Sequence, residues 1–143
     1  MKQALITISI FFIFSGFRTS NPDAILGVWK DKMGKGHIQI FKQNGKYYGR
    51  IIWLKNALNE NGQPKSDKKN PDARQRNKPL IGLVMLRDFI YNDGEWSNGH
   101  IYNPSDGREY RAYLRLIDYN TMDVRGYIGF SLFGKTDTWL RVR

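Results

Sequence analysis

The chain of 143 residues contains no cysteine. That removes disulfides, thiolate metal sites, a cysteine nucleophile and lipid attachment through an N-terminal cysteine together. Imidazole is scarce: only His37 and His100 occur, with no HxH or HExxH spacing, so each reads as a strand-surface residue and no metal site is expected. No Asn-x-Ser/Thr acceptor exists, because Asn103-Pro104-Ser105 has proline in the middle. No helical period of useful length and no internal repeat is found, so a Gly-rich phosphate loop opening a helix is excluded as well. The longest apolar run, Ala4–Phe14, has eleven residues and is too short to span a bilayer as a helix.

That run, after Lys2, suits the hydrophobic core of a signal peptide, so Met1–Ser20 is set apart from the fold and residues 21–143 are taken as one domain. An uncleaved anchor is the alternative, since no clean small-x-small cleavage pattern follows. The expected location is periplasmic or secreted.

What is abundant is aromatic side chains, at 14%, and glycine, with fourteen residues. Stiff strands and many turns follow from such a mix. The formal charge of +10 allows either an anionic partner or a basic, solvated surface.

From Ile25 onward, short alternating or apolar runs recur between turn residues. Strands are expected at about 25–30, 36–42, 46–54, 83–91, 95–102, 108–117, 122–129 and 135–142. Asn44-Gly45 gives the strongest hairpin signal, and further turns fall at Asn92-Asp93-Gly94, residues 103–107 and Asp118–Thr121. No proline interrupts a strand. Eight consecutive antiparallel strands are the number that closes a barrel, so the expected class is all-β: an eight-stranded antiparallel up-and-down barrel.

One connection breaks the rhythm. Lys55–Gly82 is a 28-residue mid-chain loop, within which Lys65–Lys78 carries six basic residues, Lys65, Lys68, Lys69, Arg74, Arg76 and Lys78, against Asp67 and Asp72. These six are the candidate anion contacts. Asn70-Pro71 offers an N-cap and first-turn proline for a single helical turn. The loop holds no Phe, Tyr or Trp, whereas single-strand binders interleave stacking rings with their cations, so no nucleic-acid partner is expected.

Catalytic constellations are missing. Ser131 lies between two strands rather than on a strand-to-helix elbow, and the strands carry no carboxylate pair on a shared face beyond the loosely spaced Asp88, Asp93 and Glu95. The chain is read as no enzyme, without cofactor. Alternation against Arg50, Arg111, Arg115 and Asp137 places Ile51, Trp53, Tyr110, Leu114 and Trp139 on the interior face, as the candidate ligand-binding set. Gly49, Gly126 and Gly129 either leave room there or let the sheet coil shut.

In order, Gly27-Val28-Trp29, Gly49-Arg50-Ile51-Ile52-Trp53-Leu54, Pro79-Leu80-Ile81-Gly82-Leu83, Trp96 with Gly99-His100-Ile101-Tyr102-Asn103-Pro104, Gly126-Tyr127-Ile128-Gly129 with Ser131-Leu132-Phe133-Gly134, and Trp139-Leu140-Arg141 form a pattern. The chain resembles, over residues 25–142, a family of small secreted bacterial proteins catalogued as a domain of unknown function. The resemblance implies a lipocalin-like (calycin-type) barrel outside the cytoplasm. In such barrels the Gly-x-Trp tryptophan packs at the closed end under an arginine of the last strand, and Trp29 and Arg141 match those barrel-closing positions. The long loop and the lack of lipocalin disulfides and C-terminal helix depart from that pattern. The family brings no activity.

Two functional readings follow: a monomeric, non-enzymatic barrel holding a small apolar or amphipathic envelope ligand, or an interaction module whose basic loop meets an anionic surface or a partner protein. An undetected hydrolase stands behind both.

Overall fold

The computed structural model describes residues 17–127 and 135–143. Most of the expected leader, the end of the seventh expected strand with Gly129, and the Phe130–Gly134 turn with Ser131 lie outside these. Among the described residues no helix is long and apolar enough to cross a membrane.

Eight strands run in chain order: β1 (Gly27–Asp31), β2 (Gly36–Gln43), β3 (Lys46–Leu54), β4 (Val84–Asn92), β5 (Glu95–Asn103), β6 (Arg108–Asp118), β7 (Thr121–Tyr127) and β8 (Lys135–Arg141). Each pairs antiparallel with the next, and β1 pairs with β8, so the sheet is a closed barrel. The Asn44-Gly45 and Asp93-Gly94 turns have positive φ at both central positions (50° and 75°, 49° and 85°), the geometry that matches the twist of a tight hairpin.

The strand expected from Ile25 begins instead at Gly27, because Pro22–Ile25 forms a 3-10 turn. Asn21 caps it, its side chain accepting from the Asp23 amide, and Pro22 supplies the fixed φ of a first turn. This turn seats itself in one end of the barrel. Trp29 donates to the Ile25 carbonyl (2.9 Å), Trp96 to the Pro22 carbonyl (3.0 Å), and the Tyr91 hydroxyl to the Thr19 carbonyl (2.6 Å).

Arg141 lies opposite Trp29 in the β1–β8 ladder. Its guanidinium carbon sits 4.2 Å from the centroids of both the Trp29 and Tyr119 rings. It donates to the carbonyls of Ala24 (2.6 Å), Leu26 (2.7 Å) and Tyr119 (2.7 Å). The expected latch is present, and it binds the N-terminal turn as well as the first strand.

Behind the latch the interior is packed solid. Trp29, Trp96, Tyr47, Phe89, Leu86 and Met122 are among its fully buried side chains. Two bulges shape this half. Asp88 (φ 62°) and Asn98 (φ 58°) break the alternation of β4 and β5, so that Leu86 and Phe89, and Trp96 and Gly99, both turn inward across a three-residue step. Phe89 then lies over Gly99, where a Cβ would collide with the ring carbons.

Candidate functional site

The β1–β2, β3–β4 and β5–β6 loops lie at the end opposite the latch, with Tyr127 of β7 and Lys135 of β8. There the barrel contains a cavity of about 610 Å³, open to solvent. Its apolar wall includes Met85, Ile101, Val124 and Trp139, with Gly126 of β7 among them. A Cβ at Gly126 would meet only ordinary contacts, 3.8 Å to Tyr110 and 3.9 Å to Ile101. This glycine therefore leaves room. Gly49 does the opposite, since Leu86 fills its missing side chain, with a Cβ 2.7 Å from Leu86 Cδ1. Gly49 and Gly126, two of the three glycines left open in the sequence, resolve differently because one faces the packed half and the other the hollow one.

Polar tips ring the mouth. The Trp139 indole donates to Asp137 (3.0 Å), and the Tyr110 hydroxyl donates to Asp106 (2.6 Å). That bond, with some burial, holds the Tyr110 phenol above its ordinary value, and it holds the Asp106 carboxyl below its own. Asp31 accepts from the backbone amide of Lys35 (2.8 Å). Lys32, Lys35 and Lys135 stand beside them. Neither histidine lines the cavity. Among the described residues no group of three or more His, Cys, Asp or Glu is placed to hold a metal ion.

Of the five residues expected inside, Tyr110 and Trp139 line the cavity. Ile51 and Leu114 point inward but belong to the packed core. Trp53 is a correction. His37 pairs with Trp53 and Ile38 with Ile51, which leaves Ile52 as an extra residue in β3. That bulge inverts the alternation, so Trp53 lies on the outer surface, 43% exposed, with its ring 4.6 Å from His37. Sequence reasoning missed Met85, Ile101 and Val124. Alternation from Ala112 and Leu114 across the β5–β6 and β6–β7 ladders would have found Ile101 and Val124, had the bulges been visible.

The mid-chain loop is folded. Two isolated antiparallel bridges brace it, Leu58–Pro64 and Ser66–Pro79. The 3-10 turn inside it is Ala73–Gln75, capped by Asp72 rather than Asn70, whose side chain instead accepts from the Asp72 amide. The anchor is Asp67, only 1% exposed, which accepts from the Tyr102 hydroxyl (2.7 Å) and the Asn70 side chain (2.8 Å). Burial, and next the bond to Asp67, push the Tyr102 phenol up to about 12. Lys69 closes the contact: its ammonium donates to the Ser105 carbonyl (2.7 Å), and its own carbonyl lies where a Cβ of Gly107 (φ 70°) would fall.

This folding divides the six expected anion contacts. Arg74 is tied to Asp72 by two bonds, and Arg76 donates back to the Asn70 carbonyl (2.7 Å). Lys78 is exposed and lines neither the cavity nor the loop groove. Lys65, Lys68 and Lys69 line a groove of about 830 Å³ with Leu58 and Pro104.

These features, a plugged end latched by Trp29 and Arg141 and an open end with an apolar cavity, are those of lipocalin-like barrels. A family described as uncharacterized protein conserved in bacteria (DUF2147) matches residues 27–141. The chain belongs to this family. A solved structure from the human pathogen Helicobacter pylori, described as belonging to the lipocalin family, is similar to it with a TM-score of 0.72 and 27% identity, over 82% of each chain. No curated protein matches the chain. The architecture is thus an all-β, lipocalin-like closed barrel of eight antiparallel strands.

Proposed function

We propose that this family member is a non-enzymatic binding protein that holds a small apolar or amphipathic molecule in the open half of its barrel. The observation that carries this reading is the 610 Å³ cavity walled by Met85, Ile101, Val124 and Trp139. Its volume lies within the roughly 300–1,000 Å³ of small-ligand pockets, and its wall is apolar with polar groups confined to the mouth. The likeness to a structure described as a lipocalin supports it. The carboxylates at the mouth, Asp31 and Asp137, are engaged by an amide and an indole, an arrangement for orienting rather than for proton transfer. The leader-like Met1–Ser20 supports a periplasmic or secreted location, with an envelope molecule as the ligand.

Trp139 is the one tryptophan in the cavity wall and gives the test its readout. A fluorescent fatty-acid analogue should bind the protein and quench part of its tryptophan emission. Trp139→Phe should keep binding but lose that quenching, while Ile101→Trp, which fills the cavity, should abolish binding without unfolding the barrel. Equal binding by Ile101→Trp, or neither probe binding nor a co-purified ligand in native mass spectrometry, overturns the reading.

A further inference from the structure

The cavity mouth and the loop groove are neighbours. Asn103 lines the first and Pro104 and Ser105 line the second, so the β5–β6 turn is a wall common to both. The β1–β2 turn joins the same rim, since the Lys55 amide donates to the Lys35 carbonyl (2.9 Å). Six ammonium groups line the two depressions: Lys32, Lys35 and Lys135 at the mouth, and Lys65, Lys68 and Lys69 in the groove. The acids lining them are Asp31, Asp137 and Glu60. None of the six lysines is in an ion pair among the described residues.

The latched end differs. There two cations are matched, Lys42 with Asp23 (3.0 Å) and Arg18 with Asp93 (3.4 Å), while Lys46 is in no ion pair among the described residues. The open rim also carries two exposed apolar tips set among its lysines. Met33 is 74% exposed between Lys32 and Lys35, and Leu58 is 56% exposed beside Lys65 and Lys68. A large apolar side chain left in water at a turn and flanked by unmatched cations fits a surface that is anionic outside and hydrocarbon beneath.

We infer that the open rim docks on an anionic lipid bilayer, with Lys32, Lys35, Lys65, Lys68, Lys69 and Lys135 against the headgroups and Met33 and Leu58 at the acyl boundary. Docking in this orientation turns the cavity mouth toward the membrane. The surface stands on its own charge and exposure and does not depend on what fills the cavity. An acidic polymer or protein would meet the lysines but has no use for the two tips.

The absence of cysteine permits a direct test. Single-cysteine variants Met33→Cys and Asn44→Cys, at opposite ends of the barrel, are labelled with an environment-sensitive fluorophore. They are then mixed with vesicles of phosphatidylglycerol and phosphatidylcholine, or of phosphatidylcholine alone. The label at position 33 should shift to shorter wavelength on the anionic vesicles only, and the label at 44 should not respond. In co-sedimentation, Lys65→Gln with Lys68→Gln should weaken binding by about 25-fold, at roughly one kcal/mol per headgroup-facing lysine. The equally charged control Lys46→Gln with Arg115→Gln should weaken it little. Met33→Ser with Leu58→Ser should retain charge but lose the spectral shift and weaken binding. No binding to anionic vesicles at low salt, a response from both labels, equal losses in the two charge pairs, or binding that survives on an acidic polymer but not on vesicles overturns the inference.

Discussion

The two halves of the barrel are built from the same eight strands and differ in what the sequence puts between them. In the latched half, bulges at Asp88 and Asn98 bring extra large side chains inward, and a 3-10 turn folds into the opening. In the other half, Gly126 and the short Val124 leave space that Trp139 and Met85 border without filling. Stability is concentrated where packing is dense, and binding where it is not. A barrel this small can hold a cavity because its other end is closed so thoroughly.

The comparison breaks most readily at the latch. Trp29→Ala should cost about 3–5 kcal/mol as a fully buried aromatic truncation. Arg141→Ala should follow at about 2–4 kcal/mol, from the loss of stacking between two rings and of charged bonds to three carbonyls. Trp53→Ala, on the outer surface, should stay within about 1 kcal/mol. Urea melts rank the three, and a Trp29→Ala protein melting like wild type would refute the latch.

A sharper contrast comes from two glycines. Gly99→Ala should cost about 1–3 kcal/mol, because the new methyl meets the Phe89 ring and the bulge beneath it cannot easily give. Gly126→Ala should change stability by less than about 0.5 kcal/mol, since its methyl would make only ordinary contacts with Tyr110 and Ile101. Equal costs in thermal melts would mean that the two halves are not packed differently.

The smallest effect concerns the loop. Tyr102 has its phenol raised from 10.0 to about 12, so the un-ionised form is favoured in the folded state. The contribution is fully present below the unfolded value and is lost as pH rises from about 10 through about 12. Tyrosinate absorbance should show a late-titrating component that Asp67→Asn shifts to lower pH. An unchanged titration in that variant would remove Asp67 as the anchor.

The strand count and the hairpin turns were legible in the sequence, because each rests on local chemistry, alternation and Asn-Gly, whereas the Trp29–Arg141 closure was implied by the family resemblance. What failed was alternation carried across a bulge. Ile52 reverses the face of Trp53, and nothing in Ile51-Ile52-Trp53 distinguishes a bulged run from a regular one, since all three side chains are apolar. The Pro22–Ile25 turn was missed although Asn21-Pro22 carries the same signal read at Asn70-Pro71. The loop charges looked alike in sequence, yet Asp72 claims Arg74 and the backbone claims Arg76. Only the fold shows which lysines remain outward.

The latch also sets an order in time. Seven of the eight ladders join strands adjacent in the chain, and all but β3–β4, which closes the mid-chain loop, close short connections. The eighth joins β1 to β8, and the Arg141 bond to the Ala24 carbonyl spans 117 residues. Its closure entropy is the largest in the molecule, and until it forms, two strand edges stand unpaired and able to accept strands from other chains. Arg141 is therefore the residue that ends the sticky interval in the life of each new chain.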